Sequence, residues 1–225
     1  MGGAKGGAKV ANAGVKDKEP IKTIEKTDVS AEEGVKKTSK STWDSFLFTP
    51  VDISPLVYLR IIFGAIMLWE VYRHFNGRKQ PTLERYYMLP QVHIQYNGFN
   101  WMPGPLPGMY MYHFFAVLGF LYCLLILGLW YRTVSILTFL GLFYWFCLDM
   151  FFWLNHLYFA LMLNFILIFL PAGRNASLDV LIDPSLRLAK VPSWTTWLIK
   201  LTLAIPYIFG GISKIHMDWL RGEPM

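Results

Sequence analysis

The sequence has little charge for its length of 225 residues. Asp, Glu, Lys and Arg make up 16% of it, whereas a soluble domain carries about a quarter. Hydrophobic residues reach 54%, and the mean hydropathy is +0.36. This composition disfavours a soluble domain and favours an integral membrane protein in contact with a lipid bilayer.

Cysteine is also scarce, since only Cys123 and Cys147 are present and both lie in apolar runs. The sequence therefore provides no disulfide framework. It also has no metal-binding pair of histidines at helical spacing, no phosphate-binding glycine loop and no Ser-His-Asp arrangement, so we predict no metal site. The net charge of +6 collects in the N-terminal tail and in short loops beside apolar runs, which membrane topology explains better than nucleic-acid binding.

The first 42 residues contain no run that could bury enough apolar surface to offset the entropy of ordering. We predict a disordered tail over 1–42 and a transmembrane domain over 43–225. The tail lacks the apolar stretch of a secretory signal. Its many lysines predict that the N-terminus stays in the cytosol.

The apolar runs predict an all-α fold, a polytopic membrane helix bundle of about five transmembrane spans. A bilayer core takes about 20 helical residues. We expect Arg60 and Glu70, near the two ends of the first span, to extend towards the membrane surface. The spans are predicted at about 54–72, 109–130 and 194–212, and the long run 134–170 makes two spans with a turn near 153–156.

With a cytosolic N-terminus, alternation of the spans places two polar interruptions on the same membrane face. Tyr131-Arg132 and the loop 174–190 fall in the cytosol, as positive-inside topology requires. The turn at 149–156 and the end of the last span at 214–219 fall on the other face. This coincidence predicts a functional site there.

Lys214 and His156 are the candidate catalytic residues. An ammonium in a dry interface loses its proton more readily, so a neutral Lys214 can act as a base. The alternative is a lysine that extends to the headgroups, which spacing alone favours. For His156 a functional role and a histidine that caps the turn are equally supported.

For the residues beside Lys214 and His156, a role in the site and a purely structural role are both open. Asn155 either orients the imidazole or satisfies backbone groups in the turn. Asp218, four residues after Lys214, can pair with it if the helix continues. Trp153 and Trp219 either belong to the interfacial aromatic belt or stack on a flat ring such as a quinone.

Two further pairs are predicted to be structural. Tyr131 and Arg132 anchor a span end through aromatic and charged contacts at the interface. Gly210 and Gly211 lack side chains, which permits the close approach of another helix or of a ligand.

Two separated motifs resemble a known family. Leu148-Asp149 followed by Trp153-Leu-Asn-His-Leu-Tyr158 is similar to its Leu-Asp…Trp-Asn-Asn-His-x-Tyr segment. Gly210-Gly-Ile-Ser-Lys214 with Asp218-Trp219, Gly222 and Met225 is similar to its Ala-Gly-x-x-Lys…Asp-Trp…Gly…Met segment, and Tyr131-Arg132 also matches. The family is the vitamin K-dependent gamma-glutamyl carboxylase and its relatives with a horizontally transferred transmembrane (HTTM) domain.

The resemblance implies a reaction. The lysine matching Lys214 deprotonates vitamin K hydroquinone, and O2 then yields a strongly basic alkoxide. The alkoxide removes a gamma proton from a glutamate of a protein substrate, the carbanion takes up CO2, and the quinone leaves as its epoxide. The histidine matching His156 belongs to the same site. The membrane would be the endoplasmic reticulum in a eukaryote and the inner membrane in a bacterium.

The sequence departs from the family pattern at Met150, Leu154, Ser213 and His216. Family members also continue beyond the position of Met225, so we expect a fragment or a truncated relative that does not complete catalysis by itself. Two alternatives stay open. One is a non-catalytic or differently catalytic HTTM-domain protein, and the other is an unrelated quinone- or proton-handling membrane protein.

Overall fold

The structure, a computed structural model, describes residues 42–76, 82–89, 93–94, 96–99, 101–150, 154–215, 219 and 222. These ranges are mostly helical. Apart from Thr42, the predicted tail lies outside them. The elements are α1 Thr42–Phe48, β1 Pro50–Asp52, α2 Ser54–Phe75, a π-helix Glu84–Met88, α3 Met109–Leu127, α4 Tyr131–Cys147, α5 Asn155–Phe169, α6 Leu178–Ile182, a 3-10 helix Pro184–Leu186, β2 Lys190–Pro192 and α7 Trp194–Ser213.

An apolar helix occupies each of the five predicted spans. Helices α2, α3 and α7, with 22, 19 and 20 residues, are long and apolar enough to cross a membrane. Helices α4 and α5 are apolar but have only 17 and 15 residues. At about 1.5 Å per residue these two fall short of a hydrocarbon core of about 30 Å. A mostly helical fold is confirmed, and the count of five spans stays a prediction.

The core forms where helices adjacent in sequence pack on one another. Helix α2 packs against α3, α3 against α4, and α4 against α5. Helix α7 is different, because only Thr195 and Ile199 are buried along it. The packed helices contribute the fully buried apolar side chains Leu56, Met111, Phe115, Tyr122, Leu125, Leu142 and Leu167.

The all-α prediction misses a small antiparallel sheet. Strands β1 and β2 pair with Pro50 opposite Pro192 and Asp52 opposite Lys190. Each strand has three residues, so neither shows the alternation that identifies a strand in sequence. The pairing brings the start of α7 beside the start of α2.

Arg60 joins the start of α2 to the loop that follows α5. Its guanidinium donates from Nη1 to the carbonyl oxygen of Ala172 at 2.8 Å and from Nη2 to that of Ala176 at 2.6 Å. The side chain is fully buried, so the expectation that it extends to the membrane surface is wrong. The carbonyls compensate the cost of burying the charge. The end of α5 therefore lies at the start of α2, and α5 begins towards the end of α2.

Candidate functional site

A cavity of about 550 Å³ lies between the end of α2, the π-helix and the start of α5. Its volume is within the range of about 300–1,000 Å³ typical of small-molecule sites. Its wall combines several aromatic rings with a few polar groups. The lining residues are Trp69, Glu70, Tyr72, Arg73, His74, Asn76, Thr82, Tyr86, Tyr87, Trp145, Leu154, His156 and Leu157.

His156 is the predicted catalytic residue that reaches this cavity. It is the second residue of α5, it is exposed, and it lines the cavity beside Leu154. Asn155, the first residue of α5, is also exposed but does not belong to the lining. The start of α5 thus presents an imidazole to a concave, aromatic surface.

His74 is a second histidine of the cavity, and sequence reasoning missed it. It lies in the last turn of α2 and is 7% exposed. Its Nδ1 lies 2.8 Å from the carbonyl oxygen of Glu70, one turn earlier. An ionisable residue at the end of an apolar span was the signal that could have found it.

Three aromatic rings fix the position of His74. The ring of Phe115 stacks on the imidazole at 5.3 Å with an interplanar angle of 22°, and the ring of Trp145 meets its edge at 4.8 Å and 88°. Trp145 in turn donates from Nε1 to the hydroxyl of Tyr87 at 2.8 Å. Burial raises the pKa of Tyr87, so this hydroxyl is neutral. This part of the cavity wall is therefore aromatic and uncharged.

Glu70 and Arg73 supply the charges of the lining. Nη1 of Arg73 lies 2.8 Å from Oε2 of Glu70, and the Arg73 side chain is 60% exposed. The pair contributes little stability because water screens it. Its two charges compensate each other beside the aromatic wall.

A His–Asp pair lies in the neighbouring segment. Nδ1 of His93 is 3.1 Å from Oδ2 of Asp149, whose side chain is only 3% exposed. The backbone N–H of Met150 donates to the carbonyl oxygen of Ile94 at 2.8 Å, which holds the same two segments together. Asp149 belongs to the predicted polar interruption, but neither member of the pair lines the cavity. Nothing in the sequence spacing indicated His93 as its partner.

Lys214 directly follows α7 and is exposed. Its ammonium lies 5.3 Å from the centre of the Trp219 ring, so the predicted aromatic neighbour contacts the lysine itself. Lys214 is not among the residues that line the cavity. The prediction that Lys214 and His156 serve one pocket stays a prediction.

Four further residues were predicted at the site, namely Gly210, Gly211, Trp153 and Asp218. A Cβ placed on Gly210 or Gly211 would meet no described atom within 4 Å, so no described residue makes the expected close approach. Trp153 and Asp218 lie outside the described residues.

Tyr131 and Arg132 bind the end of α5. The Tyr131 hydroxyl donates to the carbonyl oxygen of Leu167 at 2.5 Å, and the Arg132 guanidinium donates to that of Ile168. The last carbonyls of a helix lack partners within the helix. The pair therefore anchors a helix end by hydrogen bonds rather than by interfacial contacts alone.

The five apolar helices, three of them long enough to span a bilayer, define an integral membrane protein. Residues 48–225 match the HTTM domain. The chain therefore belongs to the HTTM-domain family, which confirms the predicted HTTM domain. No solved structure matches it significantly.

Proposed function

We propose that this HTTM-domain protein is a vitamin K-dependent carboxylase embedded in the membrane. It couples oxidation of vitamin K hydroquinone to the gamma-carboxylation of glutamate in a protein substrate. The observation that carries the proposal is the position of His156, a site residue implied by the family motif, on an aromatic cavity at the helix ends. Family membership supports the same reading.

The cavity fits a flat, lipid-soluble ring. Trp69, Tyr72, Tyr86 and Trp145 would hold the ring by stacking and edge contacts. The cavity lies at the ends of apolar helices, where a quinol can enter sideways from the bilayer. When bound, the quinol supplies the redox chemistry, since its oxidation by O2 drives removal of the gamma proton.

The overall reaction consumes hydroquinone, O2, CO2 and a glutamate side chain. It yields the epoxide, water and gamma-carboxyglutamate. The hydroquinone is oxidised, one oxygen atom enters the epoxide and the other leaves in water, and CO2 takes the place of the gamma proton. In this scheme Lys214 accepts a ring hydroxyl proton, while His156 holds a proton at the cavity edge.

The proposed topology has five spans and a cytosolic N-terminus. The layer that contains Arg132, Arg174, Arg187 and Lys190 then faces the cytosol, as the positive-inside tendency requires. The cavity faces the lumen of the endoplasmic reticulum in a eukaryote or the periplasm in a bacterium. A secreted protein substrate is accessible from that side.

Epoxide formation tests this function. Membranes that hold the full-length protein are supplied with vitamin K hydroquinone, O2, CO2 and a glutamate peptide, and the epoxide is measured by chromatography. We expect Lys214→Ala and Lys214→Arg to lower the rate by about 100-fold or more, because a positioned base contributes about that much. Lys200→Ala is the matched control, since Lys200 is also exposed on α7 and lies 4.7 Å from the ring centre of Trp197.

Two results would contradict the proposal. Absence of epoxide with the full-length wild-type protein would remove the carboxylase assignment. Full activity in both Lys214 variants would leave that lysine as an interfacial anchor.

A non-catalytic or differently catalytic HTTM-domain protein is the second candidate. Lys214 is exposed and does not line the cavity, and Leu154 replaces an asparagine of the family motif at the cavity wall. This candidate predicts that the protein binds a quinone ring without forming the epoxide.

A further inference from the structure

We propose that His74 is a ligand-binding residue whose Nε2 accepts a hydrogen bond from a ring hydroxyl, phenolic or quinolic, of a ligand in the cavity. The inference rests on the proposed function, because it assigns a group that recognises the reduced ring. It adds a second histidine to a site for which the motifs indicated only His156.

The backbone determines which nitrogen of His74 is available. Its Nδ1 lies 2.8 Å from the carbonyl oxygen of Glu70. A carbonyl only accepts, so Nδ1 must carry the hydrogen. In the neutral ring Nε2 is then an acceptor, and within the described part of the chain the structure shows no hydrogen bond to it.

The surroundings of His74 favour the neutral ring. Phe115, Trp145 and Tyr87 pack around the imidazole with ring centres at 5.3, 4.8 and 6.4 Å. Burial of a charge among such rings costs far more than burial of the neutral imidazole. Glu70 does not supply a free negative charge, since it is paired with Arg73.

Burial also makes the hydrogen bond selective. His74 is 7% exposed, so water has little room to pair with Nε2 when a ligand without a hydroxyl occupies the cavity. Sites built around a buried polar group reject analogues that cannot pair with it. The cavity should therefore prefer a hydroquinone to its dimethyl ether, which has the same rings but no O–H.

His113 provides a matched control. It also lies on an apolar helix, and its Nδ1 is 2.7 Å from the carbonyl oxygen of Met109, four residues earlier. It is exposed and does not line the cavity. Its Nε2 therefore has the same local chemistry without the enclosed position of His74.

The test is a binding comparison with the full chain in nanodiscs. Menadiol and its dimethyl ether are the probes, and their dissociation constants are measured for the wild type, His74→Phe and His113→Phe. We expect the wild type and His113→Phe to bind menadiol about three- to tenfold more tightly than the dimethyl ether, because one hydrogen bond contributes about that much. His74→Phe should lose most of this preference, with its affinity for the ether unchanged.

Nitrogen-15 spectra of labelled histidine give a second readout on the wild-type chain. Menadiol should shift one Nε2 signal that the ether leaves in place, and that signal should persist in His113→Phe. A full preference in His74→Phe, no preference in the wild type, or no shift of such a signal would each overturn the inference. Retained hydroxyl preference without epoxide formation would instead reject only the carboxylase function.

Discussion

At the scale of single residues, Gly128 shows how tightly the cytosolic layer of the proposed topology is packed. It ends α3 with a φ of +68°, a conformation that favours glycine. A Cβ here would lie 2.7 Å from Nη1 of Arg60 and 2.5 Å from Cβ of Ser177. The missing side chain thus makes room for the arginine that holds the loop after α5.

We expect Gly128→Ala to destabilise the protein by about 3 kcal/mol, because left-handed strain adds to overpacking. Gly104→Ala is the control, since a Cβ at Gly104 meets no described atom within 4 Å. The apparent midpoint of thermal unfolding in detergent measures both. Equal midpoints for the two variants would show that Gly128 is not packed as described.

The site residues divide by the kind of signal they give. His156 and Lys214 stand beside polar interruptions of apolar runs and within family motifs, so the sequence identifies them. His74 gave only the signal of an ionisable residue at the end of an apolar span. Its ring contacts and the pairing of His93 with Asp149 are identified by packing, because they join residues 41, 71 and 56 positions apart. No local pattern predicts such contacts.

At the scale of elements, α4 and α5 are held together by the residues that begin α4. Tyr131 and Arg132 donate to two of the last carbonyls of α5, and the Asp179 carboxylate accepts from the backbone N–H groups of Trp130 and Tyr131 at 2.8 and 3.0 Å. The free backbone N–H groups at the start of α4 and the free carbonyls at the end of α5 thus gain hydrogen-bond partners in the same place. A Tyr-Arg pair between two spans therefore indicates a helix-end anchor.

We expect Tyr131→Phe to lower the free energy of unfolding by about 1–2 kcal/mol, because the buried carbonyl of Leu167 loses its donor. The change should appear as a lower midpoint of thermal unfolding. Tyr110→Phe is the control, since the Tyr110 side chain is 69% exposed. A Tyr131→Phe variant as stable as this control would contradict the anchoring role.

Hydrophobic runs were sufficient to predict the five apolar helices of the membrane domain. Each of the five predicted spans contains an apolar helix, with ends that differ by a few residues. The strand pair β1–β2 and the π-helix were missed. Both are too short for a periodic pattern, and the strand pair joins residues far apart in the sequence.

At the scale of the whole molecule, several contacts gather helix ends into one layer. The sheet places the starts of α2 and α7 together, and Arg60 adds the end of α5. Gly128 places the end of α3 in this layer, and Arg132 places the start of α4 there. Helices of 15 to 22 residues extend about 22–33 Å from this layer, so the cavity with His156 lies towards its far side.

The central claim is that His156 and Lys214 serve one site, and the distance between these two positions tests it most directly. Nitroxide labels on His156→Cys and Lys214→Cys, with Cys123 and Cys147 replaced by alanine, are measured by pulsed electron resonance in nanodiscs. We predict a separation well below the thickness of the bilayer core, which is about 30 Å. A control pair of labels at His156 and Ser185 should be farther apart than that. A separation of about 30 Å or more between 156 and 214 would place the imidazole and the amine on opposite faces and contradict a shared site.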